Sequence, residues 1–305
     1  MRVAQTSSRV TPATSALDVV LLAVALVAVS TSGPLIREAA APTLAIAFWR
    51  TTLACVVILP VALVRHRAAF RALDRRDWRR AALAGLFLAL HFGTWVPSLS
   101  FTSVASSVAL TCTQPVWAAV MARARGEHIA SGAWTGIGVA LVGALVLTGV
   151  DFSLSARALF GDALALTGGV FGAAYVTVGA DARRSMSTTV YTSICYPMAA
   201  VALLVVCLMS RQNLGHYSAH SWWIIVAITV GPQLLGHSLV NRVLRTISAT
   251  TVSVAILFEI VGATLIAWWW FSETPPGGAY PAAVLIAIGV LLVVRAGIAT
   301  APPVE

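Results

Sequence analysis

The feature that most constrains this chain is a succession of apolar runs, each about as long as a bilayer is thick. A membrane-spanning helix needs ~20 mostly apolar residues. Ten such runs recur along the 305 residues, near 17–34, 43–64, 80–99, 103–122, 132–150, 159–179, 187–209, 221–241, 248–271 and 280–298. Only 10% of residues are charged, against 59% hydrophobic. A soluble domain carries ~25% charged residues to cover its surface. A soluble enzyme of this length is therefore excluded, as are a disordered chain, a coiled coil and a disulfide-rich scaffold. What remains is an all-α integral membrane protein with ten transmembrane helices. Trp78, Trp134, Trp222, Trp223, Trp268, Trp269, Trp270 and Tyr280 fall near the ends of runs, where aromatic belts form.

The net charge of +9 comes from twenty arginines and no lysine. In a membrane protein this pattern sets topology rather than nucleic-acid binding. With the N-terminus in the cytoplasm, sixteen arginines fall inside and only Arg37, Arg157 and Arg211 outside, while Arg50 lies within a span. Ten spans then return the C-terminus to the cytoplasm, leaving tails over 1–16 and 299–305. The arginine-only, Ala- and Val-rich usage points to a GC-rich bacterium, and hence to its inner membrane. Arg2 and Arg9 before a run that ends in Ala28-Val29-Ser30 resemble a cleavable leader. Asp18 opens this run as Asp162 opens the sixth, however, and a leader has no reason for such a counterpart. Cys55, Cys112, Cys195 and Cys207 sit inside apolar runs without CxxC spacing, so they read as small buried side chains and not as a metal site.

The two halves repeat. A shift of about 145 residues sets Ser103 over Ser248 and Gln114 over Glu259, and GIGVALVGALVL matches AAVLIAIGVLLV with Gly143 over Gly289. The units run over 17–150 and 159–298, with five spans each. Five is odd, so the second unit enters the membrane inverted, the arrangement of many secondary transporters. A substrate cavity is then expected at the midplane, between the third and fourth spans and the eighth and ninth.

Ionisable groups at that depth are functional candidates. Glu259, mid-way in the ninth span, can carry a proton or bind a cationic group, or pair with Arg50 in a structural ion pair. His91 and His237 sit at matching places in the third and eighth spans, and both can exchange hydrogen bonds or protons. Trp95 and Asn241 follow them at i,i+4, on the same helix faces. Gln114 matches Glu259, while Thr111 and Tyr175 are neutral candidates for the cavity wall. A threonine in a membrane helix more often bonds its own backbone. Pro115 is the hinge candidate. Gly132 with Gly136 and Gly168 with Gly172 form GxxxG pairs for close packing, within the chain or across a homodimer. No GxSxG, HExxH or P-loop is present, and no cofactor is implied.

The ten-span count, the five-plus-five repeat, Arg50, the run HFGTWVPSLSFTSVASS, and the acids Glu127 and Glu273 after the fourth and ninth spans together resemble the drug/metabolite transporter superfamily, EamA type. The family pattern often carries Glu-Pro in the ninth span, where this chain has Glu259-Ile260. The fourth span keeps Pro115 but has Gln114 in the acid's place. The resemblance implies a permease for small metabolites, often an exporter of amino acids or related compounds. Alternating access, with or without proton coupling, is the expected mechanism. An uncoupled facilitator, a non-transporting sensor or scaffold, and an intramembrane enzyme are the alternatives.

Overall fold

The computed structural model describes residues 15–102, 104–148, 155–271 and 279–299, and among them every regular element is a helix. The elements are α1 (Ala16–Ser30), α2 (Ser32–Glu38), α3 (Thr43–Arg65), α4 (Arg67–Arg71), α5 (Arg75–Ser98), α6 (Val104–Thr111), α7 (Gln114–Ala124), α8 (Ser131–Thr148), α9 (Ala156–Ala182), α10 (Thr188–Met209), α11 (Ala219–Ile228), a π-helix (Thr229–His237), α12 (Ser238–Val243), α13 (Ala249–Ala255), α14 (Phe258–Phe271) and α15 (Ala279–Ala299). Polar side chains start several of them: Ser15, Asp74, Ser155, Ser187, Ser218 and Ser248 each accept a bond from a first-turn amide. Such caps satisfy donors that the helix itself leaves free. Asp18 completes a capping box with Ser15, whereas Asp162 instead accepts from Thr102 Oγ1 at 2.7 Å.

Among the described residues, seven helical segments are long and apolar enough to cross a membrane: Ala16–Glu38, Thr43–Arg65, Arg75–Ser98, Ala156–Ala182, Thr188–Met209, Ala219–Val243 and Thr251–Trp270. Two further apolar helices, 131–146 and 280–296, are shorter. The expected fourth span is instead divided into α6 and α7, with a break at Cys112 and Thr113. Pro115 is the second residue of α7. At that position its missing N–H costs nothing, so it starts a helix rather than kinking one. The ninth segment is broken at Ile256 and Leu257, the matching place in the second half. The break therefore survives where isoleucine replaces the family's proline. Glu273 lies outside the described residues.

Packing follows the repeat. The long contact of α5 with α9 has its counterpart in α1 against the π-helix and α12; α10 against α5 has its counterpart in α3 against the π-helix and α11; α6 and α7 on α9 correspond to α14 on α1. The pairs α3–α10 and α8–α15 each join matching elements of the two halves, and α7–α13 joins the fourth segment to the ninth. The core gathers Leu88, Phe92, Tyr196 and Leu203 around α5 and α10, with a second cluster of Ile137, Leu257 and Ile286 between α8, α15 and the ninth segment. Outward faces are apolar, with Val27, Val64, Val201, Leu208 and Trp269 all exposed. That surface suits lipid and not water. Gly136 sits against Gly289 O and Val293 of the same chain, and Gly168 against Trp95, so these glycines serve packing within the chain.

Candidate functional site

A cavity opens where three pairs of matching segments meet. Its walls are α1–α2 with α9, α5 with the π-helix and α12, and α6–α7 with the ninth segment. The apolar lining comes from Val108, Val176, Val240 and Ile256. Of the residues singled out in the sequence, His91, Trp95, Thr111, Gln114, Tyr175, His237 and Glu259 all face this space. Asn241 does not line it and lies behind Tyr175, fully buried.

The two histidines are held differently. His91 Nδ1 lies 2.9 Å from Gly168 O, and its ring stacks on Trp95 at 5.7 Å. A carbonyl only accepts, so Nδ1 carries the proton and Nε2 is the nitrogen left for a ligand. His237 ends the π-helix and packs edge-on against Phe92 and Tyr175, with ring centroids 5.4 and 6.3 Å away. The π-helix contains Gly231, Pro232 and Gly236, residues that weaken regular helix pairing. It gives this segment two polar faces, with Gln233 turned to Arg50 and His237 to the cavity.

Gln114 and Glu259 occupy equivalent positions, each in the first turn of the half-helix that follows a break. First-turn amides lack helix partners and carry partial positive charge, so both half-helices present polar backbone at the cavity. Thr111 donates at 3.1 Å to Ala165 O of α9, across helices and not to its own backbone. Gln114 lies directly against Gly172.

Arg50 does not form the expected ion pair with Glu259. The guanidinium is fully buried, donates from Nε to Gln233 Oε1 at 3.0 Å and from Nη1 to Ser32 Oγ at 3.1 Å, and lies 4.4 Å from the centre of the Phe92 ring. Neutral acceptors and a ring face hold it beside the cavity, and Glu259 interacts with it only at longer range. Sequence reasoning missed Ser32, which follows the Thr31 break, and Cys112, at the α6–α7 break; both line the cavity. Their signal was small polar residues beside interrupted helices. Glu127 pairs with Arg125 at 3.2 Å, and Arg125 in turn reaches Asp181 at 2.6 Å. Glu127 is thus a helix-end charge beside Arg125, which ties the end of α7 to α9.

The EamA-like transporter family model matches this chain twice, over residues 17–149 and 159–295. The chain belongs to the EamA-like transporter family. It is accordingly a multi-pass membrane protein of the drug/metabolite transporter type. A solved structure titled only "Crystal structure of protein" is similar to it in fold, with a TM-score of 0.76 at 18% identity, covering 93% of this chain and 99% of the other. No curated protein matches the chain.

Proposed function

We propose that this chain is a secondary transporter that exports small metabolites, such as amino acids or related compounds, by alternating access. Its ten spans form two inverted five-helix repeats in the bacterial inner membrane, with both termini in the cytoplasm. One observation carries the reading: the cavity is walled by three pairs of matching segments, one from each half. Two similar halves in opposite orientation exchange conformations at little energetic cost, which turns the same cavity from one side to the other. His91, Gln114, His237 and Glu259 hold the substrate, and Glu259 carries the coupled proton.

The test starts with purified protein. Its melting midpoint is screened against amino acids, polyamines, nucleosides, sugars and organic cations, because a ligand of the folded state raises the midpoint by mass action. A compound that does so is then followed as flux in liposomes at two pH values. Glu259→Gln is expected to flatten the pH dependence and to lower flux roughly 10-fold or more, as loss of a proton-transfer group does. Flux that keeps the wild-type rate and pH profile in Glu259→Gln removes the coupling role. Flux that needs no gradient makes the protein a facilitator.

A further inference from the structure

Arg183 caps the C-terminal end of α9, and its side chain is folded back into the protein, only 1% exposed. Nη1 donates to Asn241 Oδ1 at 2.9 Å. The guanidinium lies over the Tyr191 ring, 4.5 Å from its centre. Nε and Nη2 are buried and have no hydrogen-bond partner. No carboxylate pairs with Arg183 among the described residues; the nearby Asp181 is engaged by Arg125 and Arg184 instead. A guanidinium stays charged in proteins, and a buried cation with free donors and no counter-charge is costly.

The free atoms share one edge. Nε–H and Nη2–H of an arginine point the same way and match the two oxygens of a carboxylate. The Tyr191 hydroxyl is also buried, and the weakly bonding Cys195 thiol is the side chain it meets there. It converges with the guanidinium on the bare Cα of Gly179, where an added Cβ would lie 2.6 Å from Tyr191 Oη and 2.8 Å from Arg183 Nη1. The site is also linked to the cavity. Tyr175, a wall residue, exchanges hydrogen bonds with Asn241 at 3.0 and 2.8 Å, and Asn241 accepts from Arg183.

We propose that the open Nε/Nη2 edge of Arg183, with the Tyr191 hydroxyl, is a carboxylate-binding subsite behind the Tyr175–Asn241 pair. In this structure the subsite is closed over by Gly179 and Tyr191. When the α9–α10 end opens, a carboxylate meets two parallel donors on that edge. The subsite thus favours compounds that carry a carboxylate. Only the statement that this carboxylate belongs to the transported compound rests on the transporter reading.

The test is the melting midpoint of the full-length protein in sodium acetate against sodium chloride at equal ionic strength. The wild type is expected to melt roughly 3 °C higher in acetate. Arg183→Gln loses the difference, and so does Arg183→Lys, because an ammonium offers no bidentate edge. Tyr191→Phe keeps the fold and about halves the difference, one donor of the set being gone. Equal midpoints in acetate and chloride overturn the proposal, as does an acetate response that survives unchanged in Arg183→Gln or in Tyr191→Phe. Where Arg183→Gln does not fold, Tyr191→Phe and Arg183→Lys decide. An acetate response in a protein that shows no flux upholds the subsite and counts against the transporter reading; flux without any acetate response does the reverse.

Discussion

Gly172→Val is expected to give a folded protein that no longer transports. Gly172 lies on α9 at the cavity wall. A Cβ there would come within 2.8 Å of Gln114 Cδ and Oε1 and 3.0 Å of His91 Nδ1. These are side-chain atoms with a cavity beside them, not the backbone of a packed helix. They yield into the free space, so the helices keep their places and the cavity loses its volume. His91 also leaves its bond to Gly168. Stability is expected to fall by ~1–2 kcal/mol, within the usual cost of overpacking. Flux is expected to fall roughly 100-fold, the equivalent of ~2.7 kcal/mol of lost binding. Melting midpoint and flux in liposomes, measured on one preparation, check both halves of the expectation. A valine variant with flux near wild type would place the substrate route elsewhere.

Gly289→Leu is expected to have the opposite profile, with the fold itself weakened. Helices α8 and α15 approach through glycine. A Cβ on Gly289 would lie 2.6 Å from Gly136 O, 2.6 Å from Ala140 Cβ and 2.7 Å from Ala140 N. Two of those atoms are backbone of the facing helix and cannot turn aside, so the helices must part. Overpacking costs up to ~3 kcal/mol where side chains give way, and here the backbone must move. The midpoint is expected to drop by roughly 10 °C, with loss of the monodisperse peak in detergent. Gly138, also on α8, has no atom within 4 Å of the added carbon. Gly138→Ala is therefore expected to keep or slightly raise stability, since alanine favours the helix. Equal behaviour of the two variants would contradict this packing.

What was legible in the sequence is what hydropathy and repetition encode. Apolar runs gave the helices, and the 145-residue shift placed Gln114 over Glu259, both of which face the cavity. His91 and His237 were found because an imidazole among apolar residues is conspicuous. The local path of the backbone was not legible. Pro115 reads as a mid-span kink until the chain is seen to stop at Thr113 and begin again. The π-helix leaves no distinct periodicity over nine residues. Arg50 calls for a carboxylate on sequence grounds, but its partners Gln233 and Ser32 are distant in sequence and neutral. Arg183 was counted among the topology-setting arginines, because composition cannot separate an arginine in a loop from one folded under a helix end. Asn241 was found by spacing from His237, yet it braces Tyr175 instead of lining the cavity.

Cys112 offers the most direct test of the central claim that this cavity faces both sides of the membrane in turn. It is a native residue at the α6–α7 break, it lines the cavity, and it is 3% exposed. The other cysteines, Cys55, Cys195 and Cys207, are free and buried outside the cavity wall and can be replaced by alanine. A charged methanethiosulfonate reagent, which does not cross bilayers, is applied to sealed vesicles of each orientation. Alternating access predicts that Cys112 is modified from both faces and that Gly172→Val slows modification from both. Modification from one face alone, or from neither, would contradict it.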